Sequence, residues 1–301
     1  MSQHVASPDT AMPTASGRAR RVLGLFKLRI GVLIMITALA GLAIAPGSAP
    51  GLLQVVVLGL CVLVASASAG AFNQFIEAES DRLMKRTRTR AFASGALEPS
   101  PAWLLVIGGL LVGAVGTAAW VLNATAALFI FLGAFFYAVV YTVWLKRRTW
   151  LNIVIGGLSG SFAVLAGAAA VDPSLGPQPL LLALVLFLWT PPHFWSLAIA
   201  NRDDYAAAGV PMLPVVAGVE RAAQVVHWNA MLLVAASLLP VFFGAGPVYL
   251  LGAVLGGVYF LRKTSALARS PSRPAAMASF FASMAQLSAL LAAVVIDALL
   301  Q

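Results

Sequence analysis

Nine long apolar runs, separated by short polar stretches, leave this chain one kind of fold. They lie at approximately Ile30–Ala45, Leu52–Phe72, Ala102–Leu122, Ala124–Leu145, Leu151–Val171, Leu180–Ala200, Trp228–Phe243, Val248–Leu261 and Ser279–Leu299, the eighth being short. A hydrocarbon core of about 30 Å takes about 20 apolar residues as a helix. Composition agrees: 61% of residues are hydrophobic and 10% charged, against roughly 25% charged in soluble domains. The mean hydropathy is +0.94. The expected fold class is therefore all-α, a polytopic membrane protein of about nine transmembrane helices. Residues 30–301 form one transmembrane domain in this reading, and residues 1–29 a polar, disordered cytoplasmic tail. No stretch is long enough for a separate soluble domain.

The basic residues set the orientation. Lys and Arg number 19: five in the N-terminal tail, five in residues 82–90, three in 146–148, Arg202 and Arg221, and four in 262–273. If nine spans alternate, all 19 fall on one side. The positive-inside rule then puts the N-terminus in the cytoplasm and the C-terminus outside. A net charge of +9 raises the question of nucleic acid, but these positions are interfacial, so nucleic acid is excluded as a partner. The tail lacks the short apolar core of a cleavable signal. A bacterial inner membrane is the expected location, ahead of a mitochondrial one. The single cysteine, Cys61, lies in an apolar run and reads as packing.

Acid is rarer still. Only ten residues are Asp or Glu, and five fall in two clusters, each directly after an apolar run. The first reads Asn73-Gln-Phe-Ile-Glu77-Ala-Glu79-Ser-Asp81-Arg82 and the second Asn201-Arg202-Asp203-Asp204-Tyr205. Carboxylates at the membrane end of a helix are costly and mark function. Residues at i, i+4 and i+8 share a helix face. Asn73, Glu77 and Asp81 have that spacing, so three oxygen ligands line one stripe. Mg²⁺ takes oxygen ligands and binds through one or two carboxylates plus substrate phosphates. Arg82, Lys85, Arg86 and Arg90 follow and can grip phosphate oxygens. Acid for a metal beside base for a phosphate suits a diphosphate; the bland alternative is a solvated loop with its own ion pairs. The clusters lie 128 residues apart with four spans per interval, consistent with duplication of a four-helix unit.

Context strengthens the second cluster. Trp189-Thr-Pro-Pro-His193-Phe-Trp195 precedes it, and Pro211-Met-Leu-Pro214 follows. Adjacent prolines inside a span are expected to break the helix where a cavity is lined. His193 lies eight residues before Asn201, roughly 12 Å deeper. An intramembrane histidine is a functional candidate, as substrate contact, iron ligand or proton carrier; the alternative is a hydrogen-bonded core residue. His4 and His227 read as bland. A third element, Tyr141 to Asn152 followed by Gly156-Gly157, puts Lys146, Arg147 and Arg148 at a span end, as topogenic charges or a further phosphate contact. The glycines are expected to permit close helix approach.

The run Asn73-x-x-x-Glu77-x-x-x-Asp81-Arg82, with Arg86-Thr87 after it, resembles the first metal motif of the UbiA superfamily of intramembrane prenyltransferases. The Tyr141–Asn152 segment, the Trp189–Trp195 string and Asp203-Asp-Tyr-Ala-Ala-Ala-Gly-Val-Pro-Met-Leu-Pro214 resemble its protohaem IX farnesyltransferase branch. The likeness covers about Phe26 to Gly218. It implies a helical bundle around a central cavity open to lipid. It implies Mg²⁺ held by Asn73, Glu77, Asp81, Asp203 and Asp204, with Arg82, Arg86 and Lys146 on the diphosphate and His193 on haem. The implied reaction joins the farnesyl group of farnesyl diphosphate to a vinyl group of haem B with addition of water, giving haem O. The bilayer, and a haem-handling protein or haem A synthase, are the implied partners. Two departures stand out. The superfamily's second motif often spaces carboxylates by four, where this chain has Asn201 and Tyr205, and its usual Lys-Pro-Arg before the first span is Lys27-Leu28-Arg29 here. Rival readings are a prenyltransferase for a quinone or chlorophyll precursor, a secondary transporter, and a non-catalytic haem assembly factor.

Overall fold

The small residues of this chain decide how its helices meet. The computed structural model describes residues 15–47 and 50–300. Their elements are α1 (Ala15–Leu25), α2 (Leu28–Ala43), α3 (Leu52–Ile76), α4 (Ala78–Leu83), α5 (Pro101–Val121), α6 (Ala124–Phe135), α7 (Asn152–Gly156), α8 (Leu158–Ala169), α9 (Pro177–Ala200), α10 (Arg202–Ala207), α11 (Leu213–Val216), α12 (Val219–Leu238), α13 (Pro247–Arg269) and α14 (Arg273–Leu300). A π-helical segment, Phe136–Leu145, continues α6, and a 3₁₀ turn, Leu239–Phe243, continues α12. No strand occurs among the described residues.

Large apolar side chains point outward: Leu105 is 80% exposed, Trp120 89% and Phe242 80%. Alanine, glycine and serine dominate the interior instead. Lipid is as apolar as leucine, so helices associate here through close packing of small residues. Where α2 crosses α8, a Cβ on Gly41 would stand 2.1 Å from the Val164 carbonyl oxygen, and one on Gly167 1.8 Å from that of Ala38. The two backbones touch. Gly156 and Gly157 do permit close approach, against Tyr141 and Thr190 respectively. α2 also packs on α3, and α9 packs on α8, α12 and α14. α13 lies between α12 and α14, while α14 reaches back to α2 and joins the two ends of the chain.

Helix ends follow ordinary rules. Pro101, Pro177 and Pro247 open α5, α9 and α13, at a position with no N–H to lose. The Asn123 carboxamide oxygen caps α6 by accepting from Ala126 N at 2.8 Å. Asp297, buried in α14, accepts backbone N–H groups of Gly246 at 2.6 Å and of Val248 and Tyr249 at 3.2 Å, capping α13. That acid belongs to the scaffold.

Three expectations change. Seven helices among the described residues are long and apolar enough to cross a membrane, or eight if α1 and α2, bent by 44°, form one span. The expected span that falls outside this set is the eighth, which corresponds to α13, 23 residues long, whose last turns carry Arg262, Lys263 and Arg269 and dilute its hydropathy. The tail over 1–29, expected to be disordered, contains α1; residues 1–14 lie outside the described residues. Pro191 and Pro192 do not break α9, which runs through them.

Gly167→Ala should cost about 3 kcal/mol, the upper end of the usual ~1–3 kcal/mol for overpacking, because the added methyl meets backbone rather than a movable side chain. Gly108→Ala in α5, where the methyl enters open space, should be neutral or stabilising. Denaturation in detergent reads both, and equal stability of the two variants would contradict the close α2–α8 crossing.

Candidate active site

The first acidic cluster straddles a helix joint. α3 ends at Ile76, Glu77 is the hinge with φ −95° and ψ 8°, and α4 restarts at Ala78. The backbone bonds Glu77 N to Asn73 O (3.0 Å) and Asp81 N to Glu77 O (2.8 Å) keep the four-residue repeat across it. Asn73, Glu77 and Asp81 are each 2% exposed. Buried carboxylates require partners, and each has a cation. Lys146 Nζ pairs with Glu77 Oε1. Arg90 Nη1 donates to Asp81 Oδ2 at 2.7 Å. Lys27 Nζ donates to Asn73 Oδ1 at 2.5 Å and to the Tyr137 hydroxyl at 3.1 Å. Asn73 Nδ2 in turn donates to Glu77 Oε2 (2.9 Å) and Thr142 Oγ1 (3.0 Å), whose own hydrogen goes to Tyr137 O.

Two backbone irregularities assemble this array. Lys27 joins α1 to α2 in the left-handed region, at φ 47° and ψ 41°. Such strain in a non-glycine residue costs about 1–3 kcal/mol and persists where surrounding structure imposes it. The surrounding structure is Gly70, where a Cβ would come within 3.4 Å of the Lys27 stem. Gln74 Nε2 also ties α1 down, donating to Gly24 O and Leu25 O. The second irregularity is the π-helical segment, closed by Lys146 N to Tyr141 O at 2.9 Å. π-helical turns are rare and cluster at functional sites. This one stacks Tyr137 on Tyr141 and leads Thr142 to Asn73 and Lys146 to Glu77. A cleft of about 340 Å³ lies alongside, lined by Arg20, Arg21, Gln74, Thr89, Arg90 and Ser94.

The second cluster repeats the design: α9 ends at a hinge, Asn201 with φ −125° and ψ 33°, and a six-residue helix, α10, follows as α4 follows α3. Its contents differ from expectation. Asp203 has a 98% exposed side chain, 3.6 Å from the Arg202 guanidinium, and stands outside the array. The reason is helix geometry. Tyr205 is buried, and a residue two positions away points to the other side. Asp204 is half-buried. Tyr205 lies close enough to the first cluster for the charges of Arg86, Arg90 and Glu77 to act on it. Burial pushes the Tyr205 phenol above its ordinary range, and Arg86 acts against that shift. Arg82, also expected on diphosphate, is exposed and donates Nε to Ala93 O at 3.0 Å, stitching α4 to the following loop.

His193 lies in α9, 7% exposed. Its Nδ1 is 2.7 Å from Ser283 Oγ of α14. Trp189 stacks at 4.2 Å and Phe280 at 4.4 Å between ring centroids. Tyr137, Thr142 and Ser283 are the members that pattern alone does not pick out, since no local signal announces a π-helical turn or a contact with α14. Arg90, expected on phosphate oxygens, pairs here with Asp81, and Lys27, noted only for its departure from the family's pattern, reaches Asn73.

The sequence profile of the UbiA prenyltransferase family matches residues 34–288. The chain belongs to this family. Protoheme IX farnesyltransferase 2 of Paramagnetospirillum magneticum is 58% identical over 275 residues, covering 91% of this chain and 96% of the relative. Protoheme IX farnesyltransferase of Frankia casuarinae is 40% identical over 291 residues, covering 94% and 99%. A solved digeranylgeranylglyceryl phosphate synthase superposes with TM-score 0.78 at 18% identity, covering 94% of this chain and 99% of that one. A UbiA homologue from Archaeoglobus fulgidus, solved with DMAPP and Mg²⁺, gives TM-score 0.72 at 15% identity, covering 90% and 99%. The UbiA assignment makes this a multi-pass membrane protein. The fold likeness extends through α13 and α14, beyond the motifs.

The donor set fits a hard divalent cation. Asn73 Oδ1 and the Glu77 and Asp81 oxygens share one stripe, and Mg²⁺ needs no more than one or two carboxylates when phosphate supplies the rest. Among the described residues no three His, Cys, Asp or Glu side chains form a metal-holding group by themselves. The stripe therefore suits a metal that arrives with a phosphorylated substrate.

Lys146→Met would leave Glu77 buried without its cation. A loss of about 3 kcal/mol is expected, most of it recovered in the double variant Glu77→Gln/Lys146→Met. Unfolding in detergent reads this, and an equal loss in single and double variants would deny the pair a role in stability.

Proposed function

We propose that this protein transfers the farnesyl group of farnesyl diphosphate to a vinyl group of haem B, with addition of water, giving haem O and diphosphate. The observation that carries the reading is the buried stripe Asn73–Glu77–Asp81 facing Lys27, Lys146 and Arg90, on the same bundle as an enclosed histidine. Lys146 and Arg90 match the two carboxylates, and Lys27, bonded to neutral Asn73 and Tyr137, adds a further donor, which suits a polyanion. The names of the relatives support haem as acceptor over a quinone precursor.

In this mechanism Asn73, Glu77 and Asp81 would hold Mg²⁺, which would supply Lewis-acid neutralisation of the diphosphate when bound. Lys146 and Arg90, from their carboxylate partners, and Lys27, from the Asn73 carboxamide, reach phosphate oxygens as charge develops on the leaving group, a role for preorganised cations in a dry site. Arg86, in the loop after α4, adds a further cation, and Asp204 is the half-buried acid of the second cluster. The allylic C–O bond breaks with its electron pair leaving on diphosphate. The surrounding apolar helices exclude water from the farnesyl cation. The vinyl π electrons form the new C–C bond, water adds at the carbon beside the porphyrin ring, and a proton is lost to water. His193 orients the porphyrin or ligates its iron.

The topology that suits this chemistry places the N-terminus and both clusters at the cytoplasmic face of a bacterial plasma membrane, with residues 30–301 as one catalytic domain. Both substrates are amphiphiles that reach the bundle from the bilayer. A haem-handling protein or haem A synthase is the partner that a membrane-confined product calls for.

Purified protein in detergent, given haem B, farnesyl diphosphate and Mg²⁺, should yield a haem carrying farnesyl plus water by mass spectrometry, and none with a chelator. Asp81→Asn should lower turnover at least about 100-fold, the order lost with one electrostatic stabiliser. Asp203→Asn should stay near wild type, given its exposure. Prenylation of a quinone precursor without any haem product would replace this reading.

A further inference from the structure

The hydrogen bonds around His193 leave one assignment open to proton counting. A serine hydroxyl has one hydrogen. The hydrogen of Ser283 is spent on its own helix, since Oγ donates to Phe280 O at 2.6 Å and a carbonyl can only accept. Toward His193 Nδ1, 2.7 Å away, Ser283 Oγ can therefore only accept. The proton of that bond belongs to the histidine. A neutral imidazole protonated at Nδ1 carries its lone pair at Nε2. Among the described residues no hydrogen bond reaches Nε2.

The ring is also held in place. Trp189 lies 4.2 Å away at 20° and Phe280 4.4 Å away at 29°; two rings so close and so nearly parallel cannot share one face, so they cover both. Phe194 closes in edge-on at 4.9 Å. The Trp189 indole is pinned by its Nε1 donating to Ser283 O at 2.8 Å. Ser283 thus uses its hydroxyl for His193 and its carbonyl for the ring stacked on His193. One turn earlier on α14, Ser279 Oγ meets Ser196 Oγ of α9 at 2.8 Å, which fixes the register of the two helices.

We infer that Ser283 is a positioning residue for the haem acceptor: it holds His193 as the Nδ1–H tautomer, so that Nε2 presents a lone pair to the haem iron. The inference rests on the haem reading above. A metal-binding histidine commonly donates its other N–H to a neighbour, and removing that neighbour typically costs 10–100-fold in metal affinity. Here the neighbour is a neutral hydroxyl, which directs the ring without adding charge to the membrane interior.

Two measurements test this. The first is ¹⁵N NMR of the wild-type chain with labelled histidine, in a background where His4 and His227 are replaced by Gln. A nitrogen pattern with the proton on Nδ1 is expected, and a proton on Nε2 would overturn the assignment without any change at Ser283. The second is optical and resonance Raman titration with haem B in the absence of prenyl donor. Wild type should show an imidazole-ligated iron, and His193→Ala should lose it. Ser283→Ala should bind haem about 10–100-fold more weakly, with the KM for farnesyl diphosphate unchanged, and Ser283→Thr should recover the signature. An intact iron–imidazole signature at wild-type affinity in Ser283→Ala would overturn the role of Ser283. Unchanged ligation in His193→Ala would instead overturn the placement of haem at His193, while the NMR result would still decide the tautomer.

Discussion

A carboxylate buried at the end of a membrane helix must be given a cation, and much of this structure follows from that need. Glu77 and Asp81 cannot be left alone, because desolvation of an unpaired charge costs several kcal/mol. Their partners come from distant parts of the chain: Lys146 from the end of the π-helical segment, Arg90 from the loop after α4, and Lys27, through Asn73, from the joint of α1 and α2. Each partner requires a local distortion or anchor. Lys27 is held in left-handed backbone, Gly70 makes room for its stem, and the segment before Lys146 is wound as a π-helix. Electrostatics at one site thus goes with irregular backbone at two others.

The same pairing prepares the site for a phosphorylated substrate. Cations arranged around oxygens that a metal can take are already in place for a metal–diphosphate, and little reorganisation is needed when it arrives. The two helix-hinge units, α3–α4 and α9–α10, come near each other at Tyr205, which feels the charges of Arg86 and Glu77. They are unequal. The first presents a buried stripe. The second turns Asp203 to solvent and spends its inward position on Tyr205, so it contributes chiefly shape and one half-buried acid.

Packing and chemistry use different residue classes. Gly41 and Gly167 bring α2 and α8 into backbone contact, and large apolar residues are left for lipid. Polar side chains inside the bundle include the array around Asn73, the α9–α14 seam of His193, Ser196, Ser279 and Ser283, and scaffold caps such as Asp297. Rarity of acid in the sequence therefore does not by itself mark catalysis, since Asp297 is buried and bonded for structural reasons.

The chain's apolar runs and its oxygen-bearing stripe were legible from residue order because both depend on local period: span length for the runs, and the four-residue face repeat for Asn73, Glu77 and Asp81. Glycine pairs and the motifs around His193 were legible for the same reason. Span count was only approximate, since hydropathy does not reveal that α1 and α2 bend by 44° or that α13 keeps its charged last turns within one helix. Which cation meets which acid, which of Asp203 and Asp204 faces inward, and that Arg82 ties a loop were decided by tertiary structure. So was the clasp of Ser283 on His193, 90 residues away. Those facts depend on where helices cross and how each is rotated, and rotation is set by the summed packing of all neighbours rather than by any window of sequence.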